Sequence, residues 1–140
     1  MKSVLFACNM NSVRSPMAAA LLRKAAGGRM RIDSGGVHEG ALDPFVEIVL
    51  AEIGVTLEGH EPKTMHTIDP ARFDVVIALT PEAAAELRRT LTRERIEFWD
   101  IANPSESAGG REALLAAYRS VRDDLKRRLD ARFPAADEGA

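Results

Sequence analysis

The segment Val4-Leu5-Phe6-Ala7-Cys8-Asn9-Met10-Asn11-Ser12-Val13-Arg14-Ser15-Pro16 changes character twice. Val4 to Ala7 is a short continuous apolar run of the kind that forms a buried strand, and Asn9 to Ser12 is polar and turn-like. Ser15-Pro16 then reads as a helix start, with a hydroxyl at the N-cap and proline at the first helical position. Met17, Ala20, Leu21 and the pair Lys24-Ala25 keep helical spacing until Gly27-Gly28 ends it. The segment predicts strand, loop, helix.

Working outward, the same alternation repeats. Met30 to Ile32 reads as a second strand, ending at Ser34-Gly35-Gly36, and Asp43-Pro44 opens a helix whose apolar face is Val46, Val49, Leu50 and Ile53. Phe73 to Leu79 reads as a buried strand, Thr80-Pro81-Glu82 opens a helix through Leu91, and Ile96 to Trp99 is the fourth strand. After the breaker-rich stretch 103–110, the positions Leu114, Tyr118, Val121, Leu125 and Leu129 keep helical spacing to about Arg132. Strands alternating with amphipathic helices predict a three-layer α/β/α domain, its parallel sheet covered on both faces and built by right-handed crossovers. One domain over residues 1–133 is expected, with 134–140 a disordered tail. Such sheets bind ligands at the carboxyl ends of their strands. Those ends fall after Ala7, Ile32, Leu79 and Trp99.

Composition narrows the function. With 140 residues, 46% hydrophobic and 29% charged, the chain can bury a core without metals or disulfides. One Cys excludes an internal disulfide and any cysteine-rich zinc site. The formal net charge of −2 gives no global field for nucleic acid or an anionic membrane, so an anion site would have to be local. No apolar run approaches the ~20 residues of a membrane-spanning helix, and Met1 to Ala7 does not read as a signal peptide. The expectation is a cytoplasmic protein with no membrane partner and no nucleic-acid partner.

The single cysteine falls where a parallel sheet binds ligands. In Cys8-Asn9-Met10-Asn11-Ser12-Val13-Arg14-Ser15, five residues separate Cys8 from Arg14. That length lets the backbone of Asn9, Met10, Asn11, Ser12 and Val13 curl into a ring with its N–H groups inward. Such a ring is an anion-binding nest, reinforced by the N-terminus of the helix that follows. Arg14 can grip two oxygens of a tetrahedral oxyanion through its planar guanidinium, which lysine could not do. The same donors favour the thiolate form of Cys8, with the Ser15 hydroxyl placed to bond the sulfur. A thiolate beneath a bound oxyanion is a nucleophile for phosphoryl transfer. A given Cys is followed at this offset by Arg and then Ser or Thr in about one case in a hundred.

Cys8 to Met17 resembles the phosphate-binding loop of the low-molecular-weight protein tyrosine phosphatases and of the arsenate reductases that share their fold. Asp33-Ser34-Gly35, Phe73-Asp74-Val75-Val76 and Phe98-Trp99-Asp100-Ile101-Ala102-Asn103-Pro104 extend the likeness along most of the chain. The resemblance implies a flavodoxin-like sheet ordered 2-1-3-4, no cofactor and no metal. It makes Cys8 the nucleophile, Arg14 the oxyanion clamp, Ser15 the thiolate partner and Asn11 the residue that shapes the loop. The sequence also departs from that pattern. Asn103-Pro104 stands where the family has Asp-Pro, and asparagine cannot donate a proton, a role typically worth about 10²–10⁴ in rate. Asp100 is the possible substitute, with Glu106 a second. Met10 replaces a usual glycine, and Val13 replaces a second, protective cysteine found in many relatives. Ser105 and Glu106 stand where an aromatic pair often follows, which weakens the case for phosphotyrosine selectivity.

The expectation is therefore a weak cysteine-dependent phosphatase acting through a phospho-cysteine, with a phosphate-type oxyanion or a phosphoprotein as partner. One alternative is an arsenate reductase. Thioredoxin-coupled members relay oxidation along three cysteines, so this chain would need an external thiol or a glutaredoxin-like redoxin to resolve its adduct. The other alternative is a catalytically inactive binder of oxyanions or phosphoproteins. Ser34 is a pocket candidate, through a hydrogen bond to the loop at Asn11, and Trp99 is another, as a wall. His38, His60 and His66 have weak metal spacing, Lys63 reads as a solvated loop residue, and Arg88-Arg89 and Lys126-Arg127-Arg128 read as solvated helix faces.

Overall fold

Four strands carry the chain's most apolar runs, and in the computed structural model they lie side by side in one parallel sheet of order β2-β1-β3-β4. The structure describes residues 2–57 and 59–134. The strands are β1 (Lys2–Cys8), β2 (Met30–Gly36), β3 (Val75–Ala78) and β4 (Ile96–Phe98), and the helices α1 (Arg14–Ala26), α2 (Pro44–Ala51), α3 (Pro81–Leu87) and α4 (Arg111–Arg132). The predicted fold class and strand order are both observed. The expected tail falls almost wholly outside the described residues, which end at Pro134.

Alternation along β1 divides the core in two. Val4 and Phe6 pack with α1, α2 and α4, while Leu5 and Ala7 pack with α3 on the opposite face. Three helices therefore cover one face and one covers the other. Because the strands are parallel, their carboxyl ends share one edge: Cys8 pairs with Gly36, Ala7 with Ala78, and Ala78 with Phe98. Every helix but the last follows directly from that edge. Asp43 and Thr80 cap α2 and α3, accepting from Phe45 N and Ala83 N, each with proline next in sequence. Gly27 closes α1 in the left-handed conformation at φ 57°.

Three boundaries differ from expectation. The residue capping α1 is Val13, with no side-chain cap, so Ser15 lies inside the helix and its hydroxyl is used elsewhere. Strand β2 continues through Ser34, Gly35 and Gly36 instead of turning after Ile32. These glycines are set by close approach: a Cβ on Gly36 would lie 2.7 Å from the His38 carbonyl oxygen and 2.8 Å from the Asn11 nitrogen. Helix α3 ends at Leu87, short of Leu91, where the chain turns through Arg88 to Thr90.

Candidate active site

The loop between β1 and α1 sits in the middle of the ligand-binding edge. Its carbonyls are taken from behind. Val37 N donates to Cys8 O, His38 N to Asn9 O and Gly40 N to Met10 O, at 2.8–3.0 Å, so segment 37–40 zips onto the loop as an extension of the β1–β2 pairing. The peptide amides are not engaged in this way. Among the described residues, those of Met10, Asn11, Ser12 and Val13 donate to no protein acceptor. Unpaired amides beside a helix N-terminus favour a bound anion.

Asn11 makes the turn possible. It is the one non-glycine residue with positive φ, 53°, among the described residues, a conformation that asparagine tolerates better than most. Its buried carboxamide holds that shape. The nitrogen donates to Ser15 Oγ (2.9 Å) and Ser34 Oγ (3.0 Å), and the oxygen accepts from the backbone amide of Lys63 at 2.9 Å. Ser34 thus bonds the loop through Asn11 as expected, from within a strand. Ser15 Oγ also lies 2.9 Å from the sulfur of Cys8, a residue that is 2% exposed at the floor of the loop.

Two supports come from parts of the chain that the sequence left as solvated loop. His60 Nε2 lies 3.1 Å from the Asn11 carbonyl oxygen, 49 residues away in sequence. Burial pushes the His60 imidazole below its ordinary value of 6.5, and the charges of Lys63 and Arg23 act in the same direction. Its neutral form therefore carries the Nε2 proton that Asn11 O accepts. Lys63 supplies its amide to Asn11 and its ammonium to Asp33 at 2.7 Å. Thr80 is the other residue that sequence reasoning missed: its hydroxyl accepts from Ala83 N and donates to Asn9 Oδ1 at 2.6 Å, tying the loop to the start of α3. No local periodicity marks these contacts.

Arg14, half-buried at the first position of α1, donates from Nη1 to the Ile101 carbonyl at 3.2 Å. One bond of five possible donors leaves the rest of the fork for a ligand and brings the stretch after β4 alongside the loop. In that stretch Asn103 is turned inward on its own backbone. Its Oδ1 accepts from Ser105 N (3.1 Å) and Ser105 Oγ (2.7 Å), capping the turn Pro104–Glu106. Asp100 and Glu106 are exposed, and neither forms an ion pair among the described residues. Trp99 is half-buried and packs on Phe6, ring centroids 6.5 Å apart. Ser12 is half-buried, Val13 joins the core, and Met10 is 42% exposed against Gly40, where a Cβ would come within 2.8 Å of Met10 Cβ. Among the described residues no group of three potential ligands gathers to hold a metal, and no helix is long and apolar enough to cross a membrane.

The arrangement can hold a tetrahedral oxyanion over a sulfur, with amides and a guanidinium on its oxygens. The comparisons with known proteins agree with that chemistry. A family model described as low molecular weight phosphotyrosine protein phosphatase matches residues 3–137. A glutaredoxin arsenate reductase of Synechocystis sp. is 26% identical over 93% of this chain and 95% of its own. An arsenate reductase of Bacillus licheniformis is 29% identical over 91% of this chain and 92% of its own. Among solved structures, a low molecular weight protein tyrosine phosphatase from T. tengcongensis superposes with a TM-score of 0.81 at 22% identity, covering 96% of this chain and 99% of that one.

Proposed function

The chain belongs to the low molecular weight phosphotyrosine protein phosphatase family, and from that premise we propose that it is a cysteine-dependent phosphatase working through a phospho-cysteine at Cys8. The observation that carries this reading is the Cys8 sulfur, 2.9 Å from Ser15 Oγ, at the floor of a loop whose amides are unclaimed by the protein. The amides and Arg14 bind the non-bridging oxygens of a phosphomonoester, free or on a protein, and hold phosphorus over the thiolate. The sulfur attacks phosphorus, the bond to the leaving oxygen breaks, and that oxygen takes a proton. Water then attacks phosphorus and the S–P bond breaks, returning the thiolate to the Ser15 hydroxyl. Asn103 has no proton to give in the first step. Turnover is therefore slow unless the leaving group is good or Asp100 supplies the proton.

A second reading is favoured by the arsenate reductases among the relatives, and the single cysteine requires that it draw on an external thiol. Here Cys8 attacks arsenate and water leaves. An external thiol, free or on a redoxin, then attacks the Cys8 sulfur and the electron pair of the S–As bond goes to arsenic, releasing arsenite. A second thiol reduces the mixed disulfide. Oxidation of two external thiols balances reduction of As(V) to As(III).

Parallel assays separate these readings. Wild type is expected to release phosphate from p-nitrophenyl phosphate, and Cys8→Ser to release none; equal rates would remove Cys8 from the mechanism. Arsenite formation with glutathione and glutaredoxin, without phosphate release, would select the second reading. Phosphate binding with neither turnover would make the protein a binder.

A further inference from the structure

The strands begin on the edge of the sheet opposite Cys8, and an exposed cation marks each start. Lys2 opens β1, Arg31 lies at the start of β2, Arg72 ends the turn before β3, and Arg93 and Arg95 flank the turn that leads into β4. Two of them are fixed in place. Arg31 donates to the Arg72 carbonyl at 2.9 Å while its guanidinium stacks over the Phe73 ring, 4.2 Å from the centroid. Arg95 donates to the Phe73 carbonyl at 2.6 Å. Both guanidinia thus converge on adjacent peptide groups, spending few of their donors there.

Among the described residues, none of these five cations forms an ion pair, whereas Arg119, Arg122, Arg127, Arg128 and Arg132 on α4 each pair with a carboxylate. Three carboxylates on the same edge offset the five cations only in part, Asp74 being the one drawn to Lys2. Asp74 is turned onto Ser3, accepting from its amide and hydroxyl at 2.8 and 3.1 Å, Asp69 caps the turn that ends at Arg72, and Glu94 stands between two arginines. A chain of net charge −2 therefore presents one edge that is locally positive.

We propose that this edge is a docking surface for an acidic, Asp- and Glu-rich polypeptide segment. Planar guanidinia match carboxylates in bidentate fashion, and two of them are already immobilised by carbonyls, so less freedom is lost on binding. Single-stranded nucleic acid would also need exposed rings for its bases, and Phe73 is buried with Arg31 over its ring. A membrane surface would need apolar side chains beside the charges, and the exposed large ones, Met10, Ile48, Ile53 and Phe98, belong to other segments. Because the edge lies across the sheet from Cys8, its occupant leaves the catalytic loop open.

Labelled poly-L-glutamate tests this by fluorescence anisotropy with the full chain in low-salt buffer, with inorganic phosphate saturating the loop. Wild type is expected to bind. Combined Arg31→Gln, Arg72→Gln and Arg95→Gln is expected to weaken binding by about two- to five-fold per charge removed. Since Arg31 and Arg95 also brace the backbone, Lys2→Gln with Arg93→Gln is the second variant; both side chains make no hydrogen bond in the structure, and binding should fall by a similar factor per charge in a protein with unchanged melting. The proposal is overturned if neither variant weakens binding, or if polyuridylate or phosphatidylserine vesicles bind at lower protein concentration than poly-L-glutamate does.

Discussion

The Cys8 sulfur and the Ser15 hydroxyl stand 2.9 Å apart, one at the end of β1 and the other in the first turn of α1. Ser15 also accepts from the Asn11 carboxamide at 2.9 Å, and its own proton is available to a thiolate at Cys8. A hydrogen bond to a charged group contributes about 1.5–3 kcal/mol. Ser15→Ala should therefore cut kcat on p-nitrophenyl phosphate by about ten- to a hundredfold. Circular dichroism should show the fold intact, and an unchanged kcat would mean the hydroxyl does not hold the thiolate.

Asn11 joins two costs in one residue, and two substitutions separate them. Ala keeps neither the carboxamide nor an easy left-handed backbone, and strain there costs about 1–2 kcal/mol. Gly relieves the backbone but still abandons Ser15, Ser34 and the Lys63 amide. Melting temperature and phosphate affinity should both rank wild type above Asn11→Gly and Asn11→Gly above Asn11→Ala. Equal values for the two variants would show that φ 53° carries no strain.

On the proposed reading, in which Asn103 stands at the general-acid position, Asn103→Asp supplies a proton donor there and keeps the acceptor that caps Pro104–Glu106. Stability should barely change. The gain in kcat should be largest for phenyl phosphate, whose leaving group is poor, and smaller for p-nitrophenyl phosphate, approaching the ~10²–10⁴ of a positioned acid. A uniform or absent gain would show that the 103 side chain does not reach the leaving oxygen.

Burial holds the His60 imidazole below 6.5 in the folded protein. As pH falls, the unfolded chain takes up that proton first. The stability His60 contributes is thus complete above about pH 6.5 and is lost as the pH drops through the lowered folded value. His60→Gln offers an uncharged N–H to Asn11 O without titrating. Between about pH 7 and pH 5, above the carboxylate range, the variant should lose less melting temperature than wild type; parallel curves would remove His60 from the pH response.

Gly36→Ala would put a methyl group 2.7 Å from the His38 oxygen and 2.8 Å from the Asn11 nitrogen, both backbone atoms that cannot swing aside. Overpacking of this kind costs about 1–3 kcal/mol. Chemical denaturation should register that loss, and phosphate affinity should fall with it because the displaced backbone belongs to the loop.

The elements were legible because each carries its own pattern. Val4 to Ala7 and Val75 to Ile77 are continuous apolar runs, and Asp43-Pro44 and Thr80-Pro81 mark helix starts that the structure caps with those side chains. Cys8, Arg14 and Ser15 were legible as a spacing. The direction in which Ser15 points was not, since Ser-Pro signals a helix start whether or not the hydroxyl serves as the cap. Ser34-Gly35-Gly36 has the composition of a turn, yet the glycines are there for the backbones of His38 and Asn11 and for the side chains of Met65 and Ile68. His60 and Lys63 reach Asn11 across 49 and 52 residues, through a segment without periodicity, so only the assembled fold brings them to the loop.

The bonds from Val37, His38 and Gly40 fix the loop by its carbonyls, and backbone atoms alone make them. The cradle's outline is thereby separated from the identity of the residues at 10 and 12, whose side chains lie outside the core. A lineage can exchange those side chains one at a time, changing the company the site keeps, while the ring that grips the anion is inherited intact.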